Sequence, residues 1–172
     1  MTTPAPIEPE THEAILALNN AHAAELSLLD ASALRALLDG AFYAKRIGDL
    51  EAFIIALDEN HREYDSPNYR WFQARMPHFI YVDRVVVSAN ARGKGHARRL
   101  YVDLIDRARA AGHHVLVCEV NLDPPNPASD AFHAALGFEQ IGTAKVHEME
   151  KSVRYFALRL TGDDAVAWPQ VG

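Results

Sequence analysis

Apolar residues recur along the chain with two periods. In LDASALRALLDG, Leu34, Leu37 and Leu38 make one helical face, Asp30 is placed to cap its start and Gly40 to end it. A longer stripe, Ala97, Leu100, Tyr101, Leu104, Ile105 and Ala108, predicts a second helix closed by Gly112, with Arg98, Arg99, Asp103, Asp106 and Arg107 mostly on the other side. A third, shorter helix should follow the proline-rich turn NLDPPNP, with Asn126 as N-cap, Pro127 at the first position and Gly137 as its stop. Strands are expected where the pattern is continuous or alternating. These are AILAL (14–18), AFYAKRI (41–47), LEAFIIAL (50–57), FIYVDRVVV (79–87), HVLVCEV (114–120), FEQIGTAKV (138–146) and VRYFALRL (153–160). Gly48-Asp49 reads as a hairpin turn between the second and third of these. The order predicts a mixed α/β (α+β) fold around one β-α-β unit, residues 79–120.

Between the periodic stretches lie segments of a different kind. Residues 1–11 are rich in Pro, Thr and Glu and are expected to be flexible; 12–160 should form one domain and 161–172 a tail. Residues 58–78 are a long polar and aromatic connection with a short helix expected around Tyr69 to Arg75; connections of this length are often functional. Its Tyr64, Tyr69, Trp71 and Phe72 either line a pocket or cover an open sheet edge.

Composition narrows the classes. A length of 172 residues suits a single sizeable core. The net charge of −6 argues against a general nucleic-acid partner, although residues 92–99 are locally basic. The single cysteine, Cys118, excludes an internal disulfide and a cysteine-based zinc site, and no metal is expected. The N-terminus lacks the basic and apolar regions of a signal peptide, and no apolar run approaches a membrane span, so a cytoplasmic protein without a membrane partner is expected.

The stretch that carries chemistry is SANARGKGHARRL, residues 88–100, where a strand ends in a glycine-rich turn and a helix begins at once. The first N–H groups of such a helix have no intrahelical partner and, with the helix dipole, favour an anion. Gly93 and Gly95 allow close approach of a diphosphate, and Arg92, Lys94, Arg98 and Arg99 add positive charge. A phosphate-binding P-loop would need Ser or Thr after Gly-Lys, and a dinucleotide fingerprint would need a third glycine where Arg98 stands.

The spacing that fits is [RQ]-x-x-G-x-[GA], here Arg92-Gly93-Lys94-Gly95-His96-Ala97. With VDRVVV before it and NPASDAFHAALGF some thirty residues on, the chain over roughly residues 12–160 resembles the GCN5-related N-acetyltransferase (GNAT) superfamily. The resemblance implies a mostly antiparallel central sheet with splayed fourth and fifth strands and helices on both faces. It implies acetyl-CoA as cosubstrate, its pyrophosphate on Arg92, Gly93, Lys94, Gly95, His96, Ala97 and Arg98. Its pantetheine arm would pair with the backbone of Val85, Val86 and Val87 and reach Asn126. The same backbone would hold the oxyanion.

Acetyl transfer needs a neutral amine, and a lysine-like amine is only about 0.1% neutral near pH 7.4. A general base recovers part of that penalty. Glu119, on the strand that faces the splay, and Asp83, near the start of the fourth strand, are the candidates; with strand period two, Asp83, Val85 and Val87 should share a face. Each has an alternative structural use, for Asp83 an ion pair with Arg84 or Arg154. The family often carries a tyrosine proton donor four residues before the Gly-Phe pair. Here that position is His133, which is able to act as an acid near neutrality or to be an ordinary surface histidine. Tyr101, on the helix stripe, is a poor substitute, and Cys118 reads as an inert core residue. The resulting expectation is an N-acyltransferase that moves acetyl by direct attack onto the primary amine of a small molecule or peptide. A homodimer is left open. A non-catalytic acyl-CoA-binding module is the alternative, and a nucleotide- or RNA-binding α/β domain that uses the basic loop a more distant one.

Overall fold

A computed structural model describes residues 2–22, 26–147 and 150–161. Seven strands form one sheet: β1 (Ala5–Pro6), β2 (Tyr43–Ile47), β3 (Ala52–Asp58), β4 (Ile80–Val87), β5 (Val115–Asp123), β6 (Glu139–Val146) and β7 (Lys151–Arg159), in the order β1-β2-β3-β4-β5-β7-β6. Every neighbouring pair is antiparallel except β4 and β5, which run parallel because a helix connects them. The helices are α1 (His12–Ala21), α2 (Ala31–Asp39), α3 (Pro67–Gln73), α4 (His96–Ala110) and α5 (Pro127–Leu136). Strand parity sorts the core into two layers. Phe53, Ile55 and Leu57 of β3 pack towards Ile15, Leu34 and Phe72 of α1, α2 and α3. Ile54 and Ala56 face the opposite way, towards Leu100, Leu104 and Ala108 of α4. The mixed α/β sheet with helices on both faces is thus as the sequence implied.

Two expectations at the N-terminus are corrected. AILAL is part of α1 and not a strand: it buries Ile15 and Asn19, four residues apart, against the sheet. Five apolar residues without flanking context cannot distinguish a buried strand from a helical turn. The first strand is instead Ala5–Pro6, which pairs with Arg46 and Lys45 of β2 at the sheet edge, where a proline costs no ladder hydrogen bond. A 3-10 turn, Pro9–Thr11, follows, so regular structure begins before residue 12. The expected tail lies outside the described residues apart from Thr161, as does Glu148 of the β6–β7 turn.

The cap signals at Asp30 and Asn126 are realised, and the short helix expected around Tyr69 to Arg75 lies at Pro67–Gln73. Asp30 Oδ1 accepts from Ala33 N at 2.7 Å, a cap of about 1 kcal/mol, and Asn126 Oδ1 accepts from Ser129 N at 3.3 Å. No described helix is long and apolar enough to cross a membrane.

Candidate functional site

The parallel ladder between β4 and β5 is brief. Only Ile80↔Leu116 and Tyr81↔Val117 pair, although β4 continues to Val87 and β5 to Asp123. Beyond Tyr81 the two strands part. β4 keeps its antiparallel partner β3 and β5 keeps β7, so the edges facing the gap are without a strand partner. Every second residue of an antiparallel strand bonds to its neighbour; the others direct N–H and C=O outward, here into the splay.

A β-bulge shapes this edge. Ala56 pairs with Val82 and Ile55 with Arg84, so Asp83 is the extra residue on β4. The bulge inverts parity, and this corrects the expectation that Asp83, Val85 and Val87 share a face. Val85 and Val87 pack in the α4–α5 layer, whereas Asp83 joins the α1–α3 side. There its Oδ1 accepts from Tyr64 and its Oδ2 from Arg84 Nε at 2.6 Å. The Asp83 and Arg84 side chains are 3% and 2% exposed. Arg84 also donates to Asn19 Oδ1 at 2.7 Å, to the Ser27 carbonyl at 3.2 Å and to Ser27 Oγ at 3.2 Å, which ties the end of α1 and the segment before α2 to the bulge. The partner of Asp83 is Arg84; Arg154 pairs with Asp130.

The splay opens into a cleft of about 760 Å³ that reaches both faces of the sheet. At one end lies the glycine turn. Gly93 and Gly95 have φ of +79° and +77°, and a Cβ on either would project into open space, so the turn presents bare backbone to the cleft. Gly95 gives α4 no side-chain cap, and the first backbone bond there is Arg99 N to Gly95 O at 3.1 Å. The N–H groups preceding it remain available for an anion. Arg92, Gly93, Gly95, His96, Ala97 and Arg98 line the cleft, as do Val85, Val86, Val87 and Asn126. Lys94 does not; it turns to Glu51 at 3.3 Å, and the buried His96 places Nε2 3.5 Å from the same carboxylate.

The three expected proton-moving residues all line the cleft, but on different faces. Glu119 sits with Asp83 on the α1–α3 side. Its Oε1 accepts from Tyr81 Oη at 2.9 Å and from Asn68 Nδ2 at 3.2 Å, while Oε2 is buried with no partner. Burial pushes the Glu119 carboxyl up to about 8; the hydrogen bond from Tyr81 opposes the rise and the charge of Asp83 adds to it. In the protonated acid the hydrogen therefore rides on Oε2, since Oε1 already accepts twice.

His133 is on the opposite face and is not a surface histidine: it is 4% exposed. Its Nδ1 lies 2.7 Å from the Ser129 carbonyl, which only accepts, so Nδ1 carries the hydrogen; Nε2 then accepts from Tyr101 Oη at 2.9 Å. Both nitrogens are committed, and burial lowers the pKa of the ring. In this arrangement His133 has no N–H for a leaving thiolate, and the hydrogen of the pair that could move is on Tyr101, which the stripe pattern had assigned to the core.

Cys118 also borders the cleft but is 2% exposed, with burial raising its thiol well above the usual range. A thiol-selective reagent should find no reactive thiol in the native protein and one after denaturation; rapid native labelling would reopen a cysteine-acyl route. Of the four aromatics in the 58–78 connection, only Tyr64 lines the cleft. Tyr69 and Phe72 are fully buried core, and Trp71 stacks on Tyr155 at 4.1 Å beneath Arg75. Sequence reasoning missed Asn68 and Tyr81, whose roles come from cross-element contacts that leave no local pattern; it named Arg84 as a partner of Asp83 but not its bonds to Asn19 and Ser27.

A sheet opened between two parallel strands, with a glycine turn and a bare helix N-terminus at the mouth, is the arrangement that the resemblance implied. The family model "Acetyltransferase (GNAT) family" matches residues 10–138, and the chain belongs to that family. It is 38% identical over 74 residues to the L-methionine sulfoximine/L-methionine sulfone acetyltransferase of Pseudomonas aeruginosa, covering 43% of this chain and 39% of that protein. It is 33% identical over 69 residues to the L-2,4-diaminobutyric acid acetyltransferase of Wolinella succinogenes, covering 40% of each. These matches span about two fifths of the length of the curated relatives. Arabidopsis thaliana NAA60 in complex with acetyl-CoA has the same fold, with a TM-score of 0.73 at 11% identity over 92% of this chain and 98% of that one.

Proposed function

We propose that the protein is an N-acetyltransferase that uses acetyl-CoA and acetylates the primary amine of a small, amino-acid-like molecule, with Glu119 as general base. The observation that carries this reading is the splay itself: a bare glycine turn and helix N-terminus at one end, and, on a residue that lines the same cleft, a buried carboxylate oxygen with no partner, Glu119 Oε2. The residues fit the cosubstrate. The positive-φ glycines leave room for phosphate oxygens, the first N–H groups of α4 would bind them, and the unpaired edge of β4 at Val85 to Val87 would hydrogen-bond an amide-containing arm. Acetyl-CoA, when bound, supplies the activated acyl group as a thioester.

The remaining work falls to the chain. Glu119 Oε2 takes one proton from the incoming amine, which arrives mostly as ammonium at neutral pH; as the C–N bond forms and the thioester C–S bond breaks, the second proton lost from nitrogen leaves with the departing sulfur as a thiol. Outward N–H groups of β4 beyond the bulge stabilise negative charge that develops on the acyl oxygen. Asp83, with both oxygens occupied by Tyr64 and Arg84, holds the bulge in place and is the weaker candidate for base. The small amine acceptor is supported by the two relatives, whose names specify amino-acid-like amines. A cytoplasmic location accompanies this reading.

The test is thermal shift with acetyl-CoA, followed by free-thiol release over a panel of amino acids, polyamines and peptides that includes L-methionine sulfoximine and L-2,4-diaminobutyrate. Stabilisation plus turnover of a small amine is expected. Absence of stabilisation by any acyl-CoA would refute the cosubstrate, and stabilisation without turnover on the panel would favour a binding module. For the loop, Gly95→Val forces a β-branched residue to φ +77° at a cost of about 1–3 kcal/mol. Acetyl-CoA should then bind roughly tenfold or more weakly by calorimetry with the fold retained; an unchanged Kd would remove this turn from the site.

A further inference from the structure

Glu119 is held from one side only. Asn68, 4% exposed in the first turn of α3, donates to Oε1, and its own Oδ1 accepts from Tyr155 Oη at 2.9 Å. Tyr155 is in turn pinned by its stack on Trp71, three residues further along α3. This chain of contacts settles the orientation of the Asn68 amide. Were it flipped, Oδ1 would face Glu119 Oε1, two acceptors with no hydrogen between them once the carboxylate is ionised. With Tyr81 as the second donor, Oε1 is saturated.

We propose that Asn68 is the positioning residue of the base: fixed by Tyr155, it holds Glu119 Oε1 so that Oε2 is the one carboxylate atom left for an acceptor amine in the cleft. The inference rests on reading Glu119 as the base, and it makes α3, in a connection without a recognisable motif, part of the catalytic apparatus. Asn68 acts through Glu119 and need not touch substrate. It also follows that the Tyr155–Asn68 pair contributes to when Glu119 ionises, because a donor to the carboxylate favours the charged form. The other groups that interact electrostatically with Glu119 are Tyr81 and Asp83 from β4, Tyr64 from the preceding connection and Tyr155 from β7 on its own side, and Tyr101 from α4 and the adjacent Cys118 from the opposite face. Arg84 lies beyond Asp83.

The experiment is a carbon-13 carboxyl NMR titration of glutamate-labelled full-length protein, with Glu119 assigned by the signal absent from Glu119→Gln. Asn68→Leu, which keeps the volume and removes the donor, should raise the Glu119 midpoint by roughly one unit. Tyr155→Phe, which leaves Asn68 in place but unanchored, should move it the same way by less. Acetyl-CoA affinity should stay within about twofold in both, since neither group faces the glycine turn. With the acceptor identified by the panel, Asn68→Leu should lower kcat by roughly tenfold at unchanged KM for acetyl-CoA, and should have no further effect in a Glu119→Gln background. An unmoved midpoint in the folded variants overturns the proposal, as does an additional loss of rate on top of Glu119→Gln; Tyr155→Phe carries the titration if Asn68→Leu does not fold. Full activity in Glu119→Gln would instead remove the base reading, while the titration still decides whether Asn68 controls Glu119.

Discussion

Glu119→Gln lowers kcat by about 10²–10⁴-fold, the usual value of a general base, and leaves acetyl-CoA affinity within about twofold. The amide keeps the size of the side chain and preserves an acceptor for Tyr81 and Asn68 but cannot take a proton at the Oε2 position. The wild-type enzyme should gain activity as pH rises through about 8, where the buried carboxyl ionises, and the variant should lose that limb. Stability moves in the opposite sense. The folded-state value of about 8 lies above the ordinary 4.5, so between these the native state binds the extra proton. Stability is therefore fully present below about 4.5 and is lost progressively as pH rises through 8, by a few kcal/mol at about 1.4 kcal/mol per unit. Glu119→Gln removes this slope, so at pH 9 the variant should be more stable than wild type and less active. Denaturant melts at pH 5, 7 and 9 read the first effect and initial rates the second. Equal pH slopes for the two proteins would show that the carboxyl is not buried as described.

Arg84→Met destabilises the fold by about 3–5 kcal/mol, because it leaves the Asp83 carboxylate buried with only the Tyr64 hydroxyl as partner. For a domain of this size the loss corresponds to a fall in Tm of roughly 10 °C. Substituting both partners, Asp83→Asn with Arg84→Met, should recover a large part of it, since the main cost is the uncompensated charge. The four donor contacts of Arg84 also tie Asn19 and Ser27 to the bulge. His22, Leu26 and Ser27 of that segment line the cleft, so the double variant should fold but bind the acceptor more weakly, its KM rising while acetyl-CoA affinity is retained. Chemical denaturation with initial-rate kinetics on the single and double variants separates the two effects. A single variant as stable as wild type would mean that water reaches Asp83.

The sequence by itself determined the glycine turn, proposed to hold the cosubstrate, and most of the sheet. Those signals are local: two glycines at positive φ, a helix that begins immediately after them, Asp30 and Asn126 at caps, and Gly137 at a helix stop. Each depends on the conformational freedom or hydrogen-bonding reach of a few consecutive residues. The pattern at 14–18 was ambiguous because a five-residue apolar run fits either period, and only packing against β3 and β4 selects the helix. Tertiary structure alone decided where the acid–base candidates lie. One bulged residue moved Asp83 off the face its strand position implied, and of the two partners that the sequence offered for an ion pair it is Arg84 that is buried with it. Contacts of His133 with Ser129 and Tyr101, one a helical turn away and the other on a different helix, committed both of its nitrogens. Glu119 became a strong base candidate only through burial and through Asn68, fifty-one residues away in the chain. A proton's position depends on desolvation and on donors brought from other elements, and neither is written in the neighbouring residues.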